Sequence, residues 1–329
     1  MRSPRHDRPA ALIAAMALAL TLAVSGSSTA AQQQIPAHPS ELEFPPLDFE
    51  PPSPDEYRHE LDNGVPVFVV EDHELPLVNV QLLVRTGEYT RPAVDSPGLA
   101  GLTGSQIRAG GTASMTASEF DEEVDFLAAQ MGSRVGETQG GANMNCLAKD
   151  LDRCLELFFE MLREPRFQED RLELAKSQRL QQMERRNDST ASIEGREWSR
   201  LVYGPDHFST VAATESDIEA ITREDLIAFH EFAFHPGNFV LAVSGDVTPG
   251  DILPRLTEAM SGWDQGPEPG AVPGPDHELE PGLYLVHKED VNQGRVSIGH
   301  LATTRDDPNR HALQVMNDIL GGGGHAANS

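Results

Sequence analysis

Few side chains in this sequence are of a kind and spacing that could hold a metal ion. They are His207 standing alone, the pair His230 and His235, Glu184 near the end of a long polar segment, and the two cysteines Cys146 and Cys154. A zinc ion needs three protein donors of the His, Cys or Asp/Glu kind, about 2.0–2.3 Å from the metal. His230 and His235 are five residues apart, the wrong interval for one helix face. His207 needs a second donor nearby, and without one it reads as structural. Glu184 reads as a solvated helix charge, the usual state of an isolated glutamate. The cysteines have no metal-site spacing; a single disulfide and two buried thiols are both consistent with their positions.

The stretch that organises the chain is residues 96–112, SPGLAGLTGSQIRAGGT. Leu99, Leu102 and Ile107 give it an apolar side, yet it carries Gly98, Gly101, Gly104, Gly110 and Gly111. Each glycine inside a helix costs about 1 kcal/mol relative to alanine. Position, and not helix propensity, has to account for them.

The elements around that stretch follow from periodicity. Prolines dominate residues 32–56, a linker or extended arm. Leu61, Asp62, Asn63 and Gly64 form a tight turn between two strand halves within 57–70, with Val65, Val67 and Val69 alternating. Val78, Val80, Leu82 and Val84 alternate in a second strand. After the glycine-rich stretch, 116–130 reads as a helix capped by Ser118, with Phe120, Val124, Leu127 and Ala128 on one face. Residues 132–147 read as two strands about Gly136 and Gly140–Gly141, and 149–162 as a helix presenting Leu151, Leu155, Phe158, Phe159 and Leu162. A long polar helix covers 168–186, a further helix begins at Ile193, and two short ones carry Ile218, Ile221, Leu226, Ile227 and Phe229, the second capped by Thr222. Residues 238–245 (NFVLAVSG) form a buried strand and 249–260 a helix closing at Gly262 and Trp263. A proline- and glycine-rich linker, 265–282, precedes strands at 283–287 and 291–301 and a helix at 309–320.

In this order and spacing the chain resembles the insulinase/pitrilysin family of zinc peptidases. That family's inverted motif lies on a helix reading roughly G-L-A-H-L-L-E-H-M-x-F-x-G-T. Gly98, Leu99 and Ala100 match it, as do Gly111 and Thr112 with one extra residue allowed. The first histidine falls on Gly101, the glutamate on Gly104 and the second histidine on Ser105. Counting on to the family's third ligand, a glutamate of the long polar helix, lands on Gln181 and Gln182. Glu164-Pro165-Arg166-Phe167, Tyr203-Gly204-Pro205-Asp206-His207, Val243-Ser244-Gly245-Asp246-Val247 and Asn292 to Val296 are similar to further family segments. Two glycines and a hydroxyl cannot grip zinc, and the general base that would activate a bound water is missing too.

The resemblance implies an α+β fold, an antiparallel sheet with packed helices. One complete peptidase-like domain would span 57–264, and an incomplete second one 283–329. It also implies that catalytic and non-catalytic chains pair around a chamber that takes up peptides. No catalytic, cofactor-binding or metal-binding residue is assigned, and zinc is the cofactor of catalytic members only. The partner would be a zinc-bearing chain of the same family. Two other readings stay open: an active zinc peptidase with relocated ligands such as His207, His230 or Glu184, and a decayed fragment with no role of its own.

Residues 1–31 read as a secretory leader, with Arg2, Arg5 and Arg8 ahead of the apolar run 10–24 and small residues Thr29, Ala30 and Ala31 at its end. That run is shorter than the roughly 20 residues of a membrane span. A secreted or periplasmic protein with no membrane span after leader removal is therefore expected. The formal charge of −27 repels phosphate backbones and argues against nucleic acid. It suits basic peptides, or keeps a secreted surface soluble. The glycine run at the end of the chain is internal in the family, so a truncated second domain is expected.

Overall fold

The computed structural model of the protein describes residues 49–322 apart from 269 and 290. The leader 1–31 and most of the proline-rich arm lie outside the described residues. The described residues from Ser53 onward form one compact unit.

Alternation builds the sheet. The turn at 61–64 closes with the Gly64 N–H donating to the Leu61 carbonyl at 2.8 Å, and it joins β1 (Arg58–Glu60) to β2 (Pro66–Glu71). β3 (Leu77–Val84) buries Val78, Val80, Leu82 and Val84 on one face, the period of two that its sequence shows. Next come the short helix α1 (Arg91–Asp95), then α2 (Leu99–Ala109) and α3 (Ala117–Phe126). The cap of α3 is Thr116 and not Ser118. The Thr116 hydroxyl accepts from the Glu119 N–H at 3.3 Å, while the Glu119 carboxylate accepts from the Thr116 N–H at 2.9 Å. This reciprocal box needs an acid three residues after the cap; Glu119 serves Thr116, while Asp121, three residues after Ser118, pairs with Arg108 at 2.6 Å.

β4 (Gln130–Val135) and β5 (Gly140–Leu147) follow, then α4 (Leu151–Arg163) and the polar α5 (Glu169–Glu184). α4 buries Leu151, Cys154, Leu155, Leu157, Phe158, Phe159, Met161 and Leu162. On α5 only Leu172 is buried. α6 (Thr190–Tyr203), α7 (Glu215–Ala220) and α8 (Arg223–Ala233) lead to β6 (Phe239–Gly245) and α9 (Pro249–Ala259). Thr222 caps α8 as its sequence implies, its hydroxyl accepting from the Asp225 N–H at 3.3 Å.

The strand order is β1-β2-β6-β3-β5-β4. The sheet expected to be antiparallel is mixed: β2 and β6 are parallel, with Val67 opposite Leu241, and the other pairs are antiparallel. The reason is insertion. β2 and β3 run in opposite directions, so a strand placed between them must be parallel to one. Cys146 on β5 and Cys154 on α4 are both buried and free, and burial pushes both thiols up from their ordinary range.

Residues 283–287 and 291–301, expected as strands, form none. Leu283, Leu285, Val296 and Ile298 are almost wholly exposed. Alternation stabilises a strand only where a neighbour supplies the ladder and a core accepts one face; neither is present for these residues. The helix α10 (Arg310–Asn317) likewise buries nothing.

Candidate functional site

The helix α2 carries the positions that matter, and its glycines have separate causes. A Cβ on Gly104 would collide with the amide nitrogen of Val135 and lie 2.6 Å from the carbonyl carbon of Arg134. The helix therefore rests directly on the β4 backbone, and the Ser133 hydroxyl donates to the Gly104 carbonyl at 2.7 Å. No glutamate side chain fits there without moving β4. Gly101 is different: a Cβ would meet only the Glu88 Oε1, at 3.6 Å. Ser105 is exposed and donates its hydroxyl to the Leu102 carbonyl at 2.9 Å.

Glu88 escaped the sequence reading. It follows β3 by a few residues, and the fold brings its carboxylate to the N–H of Gly101, in the first turn of α2. A carboxylate is stabilised at a helix N-terminus, where backbone N–H groups lack partners. Burial nevertheless dominates and pushes this carboxyl above its ordinary range, with the Gly101 N–H and the Arg179 guanidinium opposing that rise. The only sequence signal was an acid beside a glycine-rich helix start, which says nothing until the chain is folded.

A cleft of about 920 Å³ opens beside this helix start. Glu88, Tyr89 and Glu137 line one part of it, Arg179 and Gln182 of α5 another, and Arg186, Arg196 and His207 also contribute. His207 stacks on Tyr203 with ring centroids 5.3 Å apart and tilts against Phe208 at 4.4 Å. Its Nδ1 accepts from the Ser209 N–H at 3.4 Å and contacts the Ser209 hydroxyl at 2.8 Å. Its Nε2 is buried and has no hydrogen-bond partner among the described residues.

The other candidate donors are elsewhere. His230 is buried on α8, where it contacts the Leu162 carbonyl through Nε2 at 2.7 Å and stacks on Phe234 at 5.4 Å. His235 is buried beside Asn238, whose amide nitrogen lies 3.0 Å from its Nε2. Burial pushes both imidazoles below their ordinary range. Glu184 is exposed at the end of α5, and Gln181 is exposed as well. The relocated set of His207, His230 and Glu184 is not assembled, since only His207 lines the cleft. Among the described residues no group of three or more His, Cys, Asp or Glu is placed to hold a metal ion. At the motif itself, two glycines and one hydroxyl do not fit zinc.

The open face of the sheet is a second surface of note. It carries Phe68 and Val70 of β2, Val240, Ala242 and Ser244 of β6, Asn79, Gln81 and Leu83 of β3, and Asn143 and Asn145 of β5. Asn145 donates its amide to the Asn79 side-chain carbonyl at 2.7 Å. Charge enters this face only on the outer strands, through Arg58 and Glu60 of β1 and Arg134 of β4. The chain has 52 acidic residues, so four adjoining strands without a charge on their open side are a marked departure.

One mixed sheet backed by helices carries a glycine-bearing helix at the position of the expected motif. Comparison with known proteins places this fold among peptidase-like domains. A family described as "Peptidase M16 inactive domain" matches residues 220–327. An uncharacterised zinc protease of Mycobacterium leprae is 25% identical over 222 residues, covering 64% of this chain and 48% of the relative. The zinc protease PqqE of Helicobacter pylori is 24% identical, covering 81% and 62%. The crystal structure of a peptidase M16 inactive domain from Pseudomonas fluorescens superposes with a TM-score of 0.67 at 25% identity, covering 82% of this chain and 65% of that one. In sequence and fold the chain is similar to the insulinase/pitrilysin family of peptidases. It spans about half to three fifths of the length of these curated relatives. Among the described residues no helix is long and apolar enough to cross a membrane.

Proposed function

We propose that this chain is an exported, non-catalytic member of its family that forms one wall of a peptide-holding chamber, closed by a zinc-bearing chain of the same family. The observation that carries the reading is Gly104, whose position against the β4 backbone excludes the motif's glutamate. Substitution back to the motif would have to move β4, so the helix is built for packing. The uncharged open sheet face supports the second half of the reading. A surface of Asn, Gln, Ser and aliphatic side chains desolvates more cheaply against a partner than a charged one. One relative, 21% identical, is by name a subunit of an assembly, the cytochrome b-c1 complex subunit 1 of Bos taurus mitochondria. The leader pattern at 1–31 supports export.

The test is metal content and company. After incubation with excess zinc and desalting, the isolated chain should retain well under one equivalent, and affinity purification from its source should bring down a family member with an intact H-x-x-E-H. Tight one-to-one zinc uptake, with peptide cleavage that a chelator stops, would reverse the reading. The relocated-ligand enzyme gains no support from the separated positions of His207, His230 and Glu184.

A further inference from the structure

We infer that the cleft beside α2 binds a carboxylate presented by a peptide, and that Arg179 and Arg186 are its principal contacts, assisted by His207. The inference rests on the peptide-holding reading above and names what that site selects. Three observations carry it. First, neither Arg179 nor Arg186 has a carboxylate within ion-pair distance among the described residues, although the chain has 52 acids to 25 bases. Arg91, Arg108 and Arg153 each have such a partner. Arg196, the third guanidinium of the cleft, already donates to the Asn187 side chain at 2.9 Å.

Second, His207 adds a donor of the same kind. In the tautomer whose Nδ1 accepts from the Ser209 N–H, the proton sits on Nε2, and that nitrogen is buried with no protein partner among the described residues. Two guanidiniums and one ring N–H in a single cleft are complementary to an acceptor-only group, and a carboxylate takes guanidinium forks two bonds at a time.

Third, the cleft suits a chain end or side chain attached to an apolar body. At about 920 Å³ it is of ligand size, and Tyr89, Phe208, His207 and Tyr203 form a row of rings along it, the Tyr89 and Phe208 centroids being 6.0 Å apart. Four carboxylates also line the cleft. Glu88 is engaged with the Gly101 N–H and raised by burial, whereas Glu137, Asp206 and Asp276 are exposed. These three oppose an anion in proportion to their distance and screening, and a site governed by them would favour lysine or arginine peptides instead.

The carboxylate has two sources, a peptide's C-terminus or an aspartate or glutamate side chain, and the test separates them. Fluorescein-labelled octapeptides of Ala, Ser and Phe would be titrated with the full chain by anisotropy. One ends in a free carboxylate, one in an amide, one carries an internal Glu with an amide end, one has Gln in its place, and one carries Lys. The free-acid or the Glu peptide should bind roughly tenfold more tightly than its amide or Gln counterpart. The preference should shrink with added salt and vanish in R179Q/R186Q, while R58Q, on the edge strand, leaves it intact. Both arginines are exposed, and far-UV circular dichroism would show that the double variant is folded. Equal binding of acid and amide, tighter binding of the Lys peptide, or an unchanged double variant overturns the carboxylate assignment and leaves the peptide-holding reading standing. No binding of any peptide overturns both.

Discussion

Gly101 and Gly104 are three residues apart on one helix and should answer to the same substitution with opposite signs. Gly101→Ala adds a methyl group at an ordinary contact distance, 3.6 Å from Glu88 Oε1, and removes a helix-interior glycine, so it should stabilise the fold by roughly 0.5–1 kcal/mol. Gly104→Ala drives a methyl group into the β4 backbone and should cost about 1–3 kcal/mol or more. Urea denaturation midpoints of the two variants check this, and equal shifts would remove the packing explanation for Gly104. A second prediction concerns His230. Burial holds its imidazole below the ordinary histidine range, so the folded state prefers the neutral ring more than the unfolded chain does. The associated stability is fully present above about pH 6.5 and is lost as pH falls toward the folded value. Urea midpoints at pH 7.5 and 5.5 should differ less in His230→Gln than in the parent, with His235 supplying part of the remaining slope in the same direction.

At this scale the sequence disclosed identity and withheld surroundings. That positions 101, 104 and 105 lack donors needs no coordinates. That Gly104 touches β4, that Glu88 closes the first turn of α2, or that His207 keeps a partnerless Nε2 depends on contacts between residues far apart in the chain. No local pattern encodes them.

Elements were legible wherever the signal is local. The alternation in β3, the apolar stripe of α4 and the Thr222 cap all follow from spacing within a few residues. Thr222→Ala should cost about 1 kcal/mol by stranding N–H groups at the start of α8, and Thr214→Ala, which removes the like box of the shorter α7, should cost less because fewer core contacts depend on that helix. Thermal melts of the two variants would show the order, and the reverse order would mean that α7 is the more strongly coupled element. Two misjudgements have a common source. The parallel β2–β6 pair and the unformed strands at 283–301 are matters of which partner is adjacent, and period-two alternation reports only that a segment would pair if it could. Ser118 lost the cap to Thr116 for a smaller reason: its own acid three residues on, Asp121, is held by Arg108 and Arg171, whereas Glu119 is free to close the box with Thr116.

For the molecule as a whole, the distribution of charge matters more than its total. A formal −27 spread over the helical side and loops, with the four inner strands bare on their open side, makes the sheet face a place without long-range guidance. Whatever settles there should do so by unaided collision, at rates of roughly 10⁵–10⁶ per molar per second. Added salt should leave the contribution of that face to the encounter rate nearly flat, and should speed arrival only for a partner that is itself acidic. Stopped-flow mixing across ionic strength would read this directly. Residence on the sheet would then be set by departure, through the quality of fit around Leu83, Val240 and the Asn79–Asn145 amides.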